Sequence, residues 1–586
     1  MFAKLLYRCP VEALFGLALL LVCLSPIASA QGWASTATQA FPVNYLSNAT
    51  LTGPLPAATP MHVVLGLQAR NAGQMQATLQ TLNGSPLTLD QFVSQFGPAP
   101  AQVQAVQNYL TSMGFKDITV ADNQLLIDAY ASAAKVEAAF HTTLAEYSLN
   151  GGSAYVNTTA AQVPDALSGV VIAVLGLNSV TSLHPDIARL TVAPMTVPCT
   201  PPKCPVPDVD NESYGPEQFQ IAYDAACPAD NPECPANKVP PASKTPVGII
   251  MEGDLTQVVT DLRTYESTYN LPEVPVTIIH AGVASADTSG QDEWDLDSQT
   301  STGIAQRVKH LYLYDATSLT DSDIALTIGK AVSENLVKAF NMSFGECEYL
   351  PYIDGAMLVD DQLFAEAALQ GITPFASADD QGSACPVVGT NGVPLSGPPD
   401  TAYPASSPYV IAVGGTNLFT NADFTYDFET AWEASGGGIS YFETAPFWQS
   451  YTGGGSTAIV PSAAAGQRGV PDVAMCAGGT GLAICSANIF VSGKAELVGG
   501  TSLSSPLAMG SWARIETSHS NTLGFAGPLI YQLATSGPPA KSPHFNDVTL
   551  GGNGLFTALP GYDFVTGLGS FDIYKVNRTI PSTYPQ

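Results

Sequence analysis

The stretch Gly499-Gly500-Thr501-Ser502-Leu503-Ser504-Ser505-Pro506 has the residue types that nucleophilic chemistry needs. An apolar, β-rich run precedes it (Phe490-Val491, then Glu496-Leu497-Val498), and Leu507–Ala513 reads as a helix. A serine at a glycine-rich strand-to-helix turn has an accessible hydroxyl beside the backbone N–H groups of a helix N-terminus. Acyl transfer requires those two things, a nucleophile and donors for the oxyanion. An ordinary Ser/Thr helix cap has the same local signature, so partners elsewhere in the chain must decide between them.

The usual base is histidine. His62, His141 and His184 fall in or at the edge of an N-terminal module, while His280, His310, His519 and His544 have no recognisable site context. A Ser-His-Asp arrangement remains open, because its members need not be close in sequence. The carboxylates are better placed. In Asp292-Glu293-Trp294-Asp295-Leu296-Asp297, a helical segment puts Glu293 and Asp297 on one face at i and i+4, with Asp295 pointing roughly to the opposite side. Two such carboxyls without a cation share a proton, and the pair acts as a base below neutral pH. Ala378-Asp379-Asp380-Gln381-Gly382 follows an expected strand, Thr373–Ser377. An aspartate there can stabilise an oxyanion only when protonated. Asp547-Val548 and Pro560-Gly561-Tyr562-Asp563 set two carboxylates among turn backbone, the oxygen chemistry of calcium without an EF-hand spacing.

Together these segments resemble the sedolisin family of serine-carboxyl peptidases, and they occur in the family's order. Supporting stretches are Ser343-Phe344-Gly345-Glu346, Pro404–Val410 with Val413-Gly414-Gly415-Thr416, Ser435–Gly438 and Arg468–Val473. Residues 40–180 look like the family's activation propeptide, including Phe96-Gly97-Pro98 and Gly176-Leu177-Asn178. The resemblance implies a subtilisin-like fold in which Ser502 is the nucleophile and Glu293 the proton acceptor. Asp297 would share that proton, and Asp380, protonated, would be the oxyanion donor beside the Ser502 N–H. It also implies one structural calcium ion on the side chains of Asp547 and Asp563 and the carbonyls of Val548, Leu559 and Gly561. Asp379 and Leu559 stand where the family usually has glycine. A carboxylate at 379 is expected to raise the pKa of Asp380 or disturb its loop.

The elements that must position these groups are legible in outline. Strands at Met61–Leu67, Asp117–Val120, Gln124–Ala129 and near Ala145–Leu149, with helices at Ala72–Leu82, Ala101–Met113 and Ala133–Phe140, suggest a ferredoxin-like α+β unit with an added helix. The Pro/Cys-rich stretch after it reads as an exposed processing linker. Beyond it, strands at Val247–Met251, Val276–His280, Asn341–Phe344, Thr373–Ser377 and Tyr409–Val413 alternate with helices at Ala325–Phe340 and Met357–Gln370. That rhythm predicts an α/β domain, a parallel sheet flanked by helices. The expected division is a signal peptide at 1–30, a propeptide at 31–185, a linker at 186–212 and a catalytic domain at 213–586.

Composition bounds the partners. Of 586 residues, 50 are acidic and 20 basic, a net charge of −30, which argues against nucleic acid or an anionic membrane. A surface poor in lysine and arginine tolerates acid, because few cations remain to repel one another when carboxylates are protonated. Lys4 and Arg8, the apolar run Ala13–Leu24 and Ala28-Ser29-Ala30 form a secretory signal with an A-x-A cleavage site, so a secreted protein is expected, extracellular or periplasmic according to the host. The eight remaining cysteines favour disulfides, by proximity 199–204, 227–234 and 476–485, leaving 347–385. Six N-x-[ST] sites occur (Asn48, Asn83, Asn157, Asn211, Asn341 and Asn577), of which Asn341 is expected to be buried. The resulting expectation is a monomeric acid-acting endopeptidase on protein or peptide substrates, inhibited by its own propeptide. Tripeptidyl-peptidase action and an inactive, peptide-binding relative are the alternatives.

Overall fold

The computed structural model describes residues 32–46, 49–81, 85–149, 151–189, 213–228, 237–385, 400–452, 457–478, 485–536 and 544–580, with a few isolated positions between them. The signal segment, residues 190–212 with Cys199 and Cys204, and Cys234 lie outside the described residues.

In the N-terminal module, strands β1 (Pro60–Leu67), β2 (Lys116–Val120), β3 (Leu126–Ser132) and β4 (Val171–Leu175) form an antiparallel sheet in the order β2-β3-β1-β4. Helices α1 (Ala72–Thr81), α2 (Leu89–Gln95) and α3 (Pro100–Ser112) follow β1, and α4 (Ala133–Phe140) follows β3. This is the expected ferredoxin-like unit with a different last strand. The run near Ala145–Leu149 pairs instead with Ala49–Pro54 and Gly152–Asn157 in a separate three-stranded sheet. The run Val171–Leu175, buried at every residue, takes the fourth position by pairing antiparallel with β1.

The segment between the modules adds two short strands, β5 (His184–Pro185) and β6 (Ala188–Arg189). The larger module is built on β7 (Pro246–Glu252), β8 (Val276–His280), β9 (His310–Ala316), β10 (Ala339–Met342), β11 (Phe344–Cys347), β12 (Thr373–Ser377), β13 (Ile411–Thr420), β14 (Tyr426–Ala431) and β15 (Val473–Cys476). Its sheet runs β8-β9-β7-β10-β12-β13-β14, parallel except for β14, with β15 also parallel to β13. After its first residue β7 is buried throughout, as a central parallel strand covered on both faces must be. A hairpin, β16 (Ser486–Val491) and β17 (Lys494–Gly499), stands outside this sheet.

Helices α5 (Thr256–Thr268), α6 (Gln291–Ala305), α7 (Asp321–Glu334), α8 (Ala356–Leu369) and α9 (Thr501–Ser518) belong to this module. α7 ends well before Phe340, where the sequence placed its end. Asn335 caps it in a left-handed conformation (φ 49°), and Lys338 N–H then donates to Pro246 to open the β10 ladder. A buried apolar run does not distinguish strand from helix by periodicity, hence the misreading. The antiparallel sheet of the N-terminal module rests on α7 and α8. Ala69 N–H donates to Gln362 Oε1 (2.8 Å) and Asn123 Nδ2 to Glu366 Oε2 (2.9 Å) across that junction. Val64, Leu126, Ile172 and Leu175 share one apolar core with the larger module.

Cys347–Cys385 and Cys476–Cys485 are disulfides, as their spacing suggested, and Cys227 is disulfide-bonded. Among the described residues no helix is long and apolar enough to cross a membrane.

Candidate active site

α6 and α9 cross at close range. A Cβ on Gly510 would lie 2.4 Å from the Ser301 carbonyl oxygen, so only glycine permits the approach. α6 is buried from Glu293 onward although rich in serine and threonine. Its hydroxyls satisfy themselves on carbonyls one turn back (Thr300 on Leu296 at 2.7 Å, Ser301 on Asp297 at 2.6 Å, Thr302 on Ser298 at 2.6 Å), which removes the cost of burying them.

This crossing brings Glu293 and Asp297 to Ser502, all three without solvent exposure. α9 begins at Thr501 rather than after Pro506, so Ser502 lies in its first turn and the proline is interior. Pro506 has no N–H for the Ser502 carbonyl, and Ser343 Oγ lies 3.5 Å from that oxygen. Ser502 Oγ and both Glu293 oxygens are buried without a well-formed hydrogen bond. The hydroxyl is nevertheless close enough to pull the Glu293 pKa partly back down. Burial first, then the Asp297 charge, raises Glu293 well above the ordinary range. Asp297 is also raised, by burial, against hydrogen bonds from Ser343 and Asn341. The pair therefore holds protons avidly in this state.

A polar chain not foreseen in the sequence orients Asp297. Ser505 Oγ donates to Asn341 Oδ1 (2.6 Å), Asn341 Nδ2 to Ser343 Oγ (2.8 Å), and Ser343 Oγ to Asp297 Oδ1 (2.6 Å). Asn341 is fully buried, as expected, and Asn157 nearly so, which closes both sequons to glycosylation. The signal available in the sequence was a polar Asn-x-Ser inside an otherwise apolar strand.

Asp380 follows β12, at the C-terminal edge of the sheet where parallel-sheet sites gather. Its Oδ1 accepts from Thr501 N–H (2.7 Å) and Thr501 Oγ1 (2.8 Å), while its Oδ2 is buried and unpartnered. Burial, then Asp186, raises its pKa well above the usual range. The Thr501 bonds oppose this, and Asp379 adds to it, as expected of the extra carboxylate. Asp379 sits at φ 85°, a left-handed conformation natural to glycine, and its Oδ1 accepts from Asp380 N–H (2.6 Å).

The start of the expected linker, residues 186–189, is seen with the two residues before it, and its Pro/Cys-rich part lies outside the described residues. His184 and Pro185 are not part of the N-terminal sheet, and residues 184–189 do not loop into solvent. β5 pairs antiparallel with β11 and β6 antiparallel with β17, so the segment lies across the mouth of the site. Asp186 N–H donates to the Ser343 carbonyl (3.4 Å), and Ser502 N–H donates to the Asp186 carbonyl (3.3 Å). Asp186 is 3% exposed. An extended chain with one carbonyl on the Ser502 N–H lies where an oxyanion-forming carbonyl would lie if Ser502 were a nucleophile. Composition could not reveal this, because edge pairing uses backbone and not side chains.

The other singled-out residues sit elsewhere. Asp295 is buried beside Asp261, its pKa pushed to about 9 by burial and then by Asp261. Asp261 in turn accepts the Ser492 and Gly493 N–H groups at the tip of the β16–β17 hairpin (both 2.8 Å). His280 bonds Asp315 and His310 bonds Thr277 (2.8 Å), while His519 bonds the Asn577 carbonyl (3.1 Å) and His544 that of Leu533 (3.1 Å). None of the four is a partner of Ser502.

The expected calcium residues converge on one turn. Both Asp547 oxygens accept from Gly561 N–H (3.1 Å), and Asp563 Oδ2 accepts from Leu559 N–H (3.0 Å). Asp547 keeps lone pairs free for a cation, whereas Asp563 also accepts from the Val565 and Thr566 N–H groups and from Thr566 Oγ1, so it would exchange some of these bonds for a calcium ion, whose oxygen chemistry the donor set matches.

Residues 47–180 match the family model described as Pro-kumamolisin, activation domain, and residues 278–526 match the subtilase family. The chain is 37% identical to sedolisin from Pseudomonas sp. (strain 101), over 94% of this chain and 92% of that one. It is 34% identical to xanthomonalisin from Xanthomonas sp. (strain T-22), over 94% of this chain and 71% of that one. A crystal structure of Pseudomonas sedolisin, a serine-carboxyl proteinase complexed with two molecules of pseudo-iodotyrostatin, aligns with a TM-score of 0.54 at 34% identity, over 63% of this chain and 98% of that one.

Proposed function

The chain belongs to the sedolisin family of serine-carboxyl peptidases, with an activation propeptide, and from that premise we propose that it is the exported zymogen of an acid-acting endopeptidase. Ser502 Oγ attacks the scissile carbonyl as Glu293 accepts its proton, which Asp297 shares. Protonated Asp380, through Oδ2, and the Ser502 N–H stabilise the oxyanion. Glu293 then delivers the proton to the leaving amine, and water releases the acyl group by the reverse route.

The observation that carries this reading is the contact of the Ser502 N–H with the Asp186 carbonyl, beside a buried and unpartnered Asp380 Oδ2. Endopeptidase action is supported by the chain upstream of that carbonyl. Leu183 N–H donates to the Leu319 carbonyl (3.0 Å) and the chain upstream of it belongs to the N-terminal module, so the cleft admits a chain extending past three residues. The buried segment also accounts for inhibition, since it covers the serine and excludes other chains from the cleft. Asp547, Asp563 and the carbonyls of Val548, Leu559 and Gly561 would hold one calcium ion, which would tie two loops together.

The test is a caseinolytic assay on processed protein from strongly acidic to mildly alkaline pH. Activity confined to acid and abolished in Ser502→Ala is expected, with full activity in variants of His280, His310, His519 and His544. Peak activity at neutral pH, or activity in Ser502→Ala, refutes the mechanism.

A further inference from the structure

The segment in the cleft identifies which side chain the pocket before the scissile bond receives. Chain direction makes Asp186 the acyl residue (P1) and Ile187 the first residue of the leaving chain. The Asp186 side chain is turned inward, and Ser377 Oγ donates to its Oδ2 (2.7 Å). The charged and titratable groups that face it are His184 on the linker (Nδ1 3.4 Å from Oδ1), Asp379 and Asp380 on the loop after β12, and Glu293 on α6. Ser377 is thus the catalytic domain's hydrogen-bond donor to this side chain, Asp379 is within electrostatic reach of it with one oxygen taken by the Asp380 N–H, and Asp186 Oδ1 is buried without a hydrogen bond. The cation comes with the substrate.

We infer that Asp379 makes the S1 pocket select a carboxyl side chain at P1, and that Asp186–Ile187 is the first bond this pocket presents to Ser502. The inference rests on the mechanism proposed above. Two carboxyls in one desolvated pocket are compatible when one is protonated, because one O–H then donates to the other group, and they repel when both are ionised. Burial, then the Asp186 charge, pushes the Asp379 carboxyl up to about 7, with His184 pulling it back. Below that pH the pocket offers a P1 carboxyl donors from Ser377 and Asp379. Above it, His184 is what keeps Asp186 seated. Its imidazole is held up at about 9 by Asp186 and Asp379 against its own burial. In the cut, Ser502 Oγ bonds the Asp186 carbonyl carbon, and the C–N bond to Ile187 breaks with the serine proton leaving on the Ile187 amine. One water then hydrolyses the ester, restoring Ser502 and freeing the Asp186 α-carboxyl.

The experiment has two arms. Full-length zymogen purified at neutral pH is acidified and its products are read by intact mass and N-terminal sequencing. A first new N-terminus at Ile187 is expected, slowed about tenfold or more in Asp186→Leu. Processed enzyme is then assayed on internally quenched peptides identical except at P1 (Asp, Asn, Leu or Lys). At acid pH the Asp:Leu ratio of kcat/KM is expected to be about ten or more, falling as pH rises and approaching one in Asp379→Gly. Asp379→Asn serves as the second variant, with an Asp:Leu ratio that no longer depends on the pocket's own carboxyl. A first cut elsewhere, a preference for Leu or Lys, or an Asp:Leu ratio unmoved by Asp379→Gly overturns the inference. Ser502-dependent hydrolysis without P1 selectivity rejects this inference alone, whereas processing that survives Ser502→Ala rejects the mechanism beneath it.

Discussion

Replacing Asp380 separates donor chemistry from loop architecture. Its Oδ1 is committed to two hydrogen bonds from Thr501, at 2.7 and 2.8 Å, so the proton of the neutral acid belongs on Oδ2. Asparagine reproduces both roles, with Oδ1 accepting from Thr501 and Nδ2 donating where Oδ2–H did. Alanine removes both. Loss of one oxyanion donor lowers kcat by about 10²–10³. The buried Thr501 N–H, left without its acceptor, costs about 1–3 kcal/mol of stability in addition. Asp380→Asn is expected to keep kcat within about tenfold of the parent. Its activity should extend to higher pH, because an amide does not titrate. The sign follows from the raised Asp380 pKa, since the donor form is complete at low pH and disappears as pH rises through that value. The remaining alkaline limb then belongs to Glu293 and Asp297. The assay is kcat and KM on a quenched peptide across pH, with a thermal melt of each variant. Asp380→Ala retaining kcat within about threefold, or a folded Asp380→Asn as inactive as Asp380→Ala, would refute the donor role.

Burial pushes Glu429 and Glu516 up to about 7 and Glu366 to about 8, so each contributes stability that is complete below about 4.5 and lost as pH rises through those values. The unfolding free energy of the Ser502→Ala zymogen should fall steadily from acidic to neutral pH, by roughly 3 kcal/mol per group, and its Tm should fall with it. A flat or rising Tm contradicts this. Arg468 meets Asp472 in a buried bidentate pair at 2.6 Å on both arms, and Arg468→Met should cost about 3–5 kcal/mol in denaturant unfolding. A cost below about 1 kcal/mol would show that the pair is dispensable. Chelation of the processed enzyme should lower its Tm, with recovery on adding calcium but not magnesium, and Asp563→Asn should abolish the response. A Tm indifferent to chelator removes the calcium proposal.

What was readable in the sequence shares a physical origin. Ser502, Glu293, Asp297 and Asp380 each stand in a short local pattern, a glycine-rich turn, an i, i+4 spacing or a strand end, and local patterns are set by neighbours in the chain. The parallel sheet was legible for the same reason, because a fully covered strand such as β7 reads as a nearly continuous apolar run from Val247 to Met251. Where a run was ambiguous, as between α7 and β10, the boundary was decided by the left-handed cap at Asn335 and the ladder from Pro246. The position of Val171–Leu175 as fourth strand of the N-terminal sheet was likewise a matter of long-range pairing.

The sequence by itself therefore singled out the four residues that meet in the site, the two-part organisation and the acidic charge balance, because these depend on residue type and short spacing. The tertiary structure alone decided that Ser505, Asn341 and Ser343 orient Asp297, that Asp295 lies beside Asp261 instead of the serine, and that His184–Arg189 lies in the cleft with Asp186 bonded to Ser377. Each of these is a contact between residues distant in the chain, made through backbone edges or through desolvation, and neither leaves a periodic trace in the sequence.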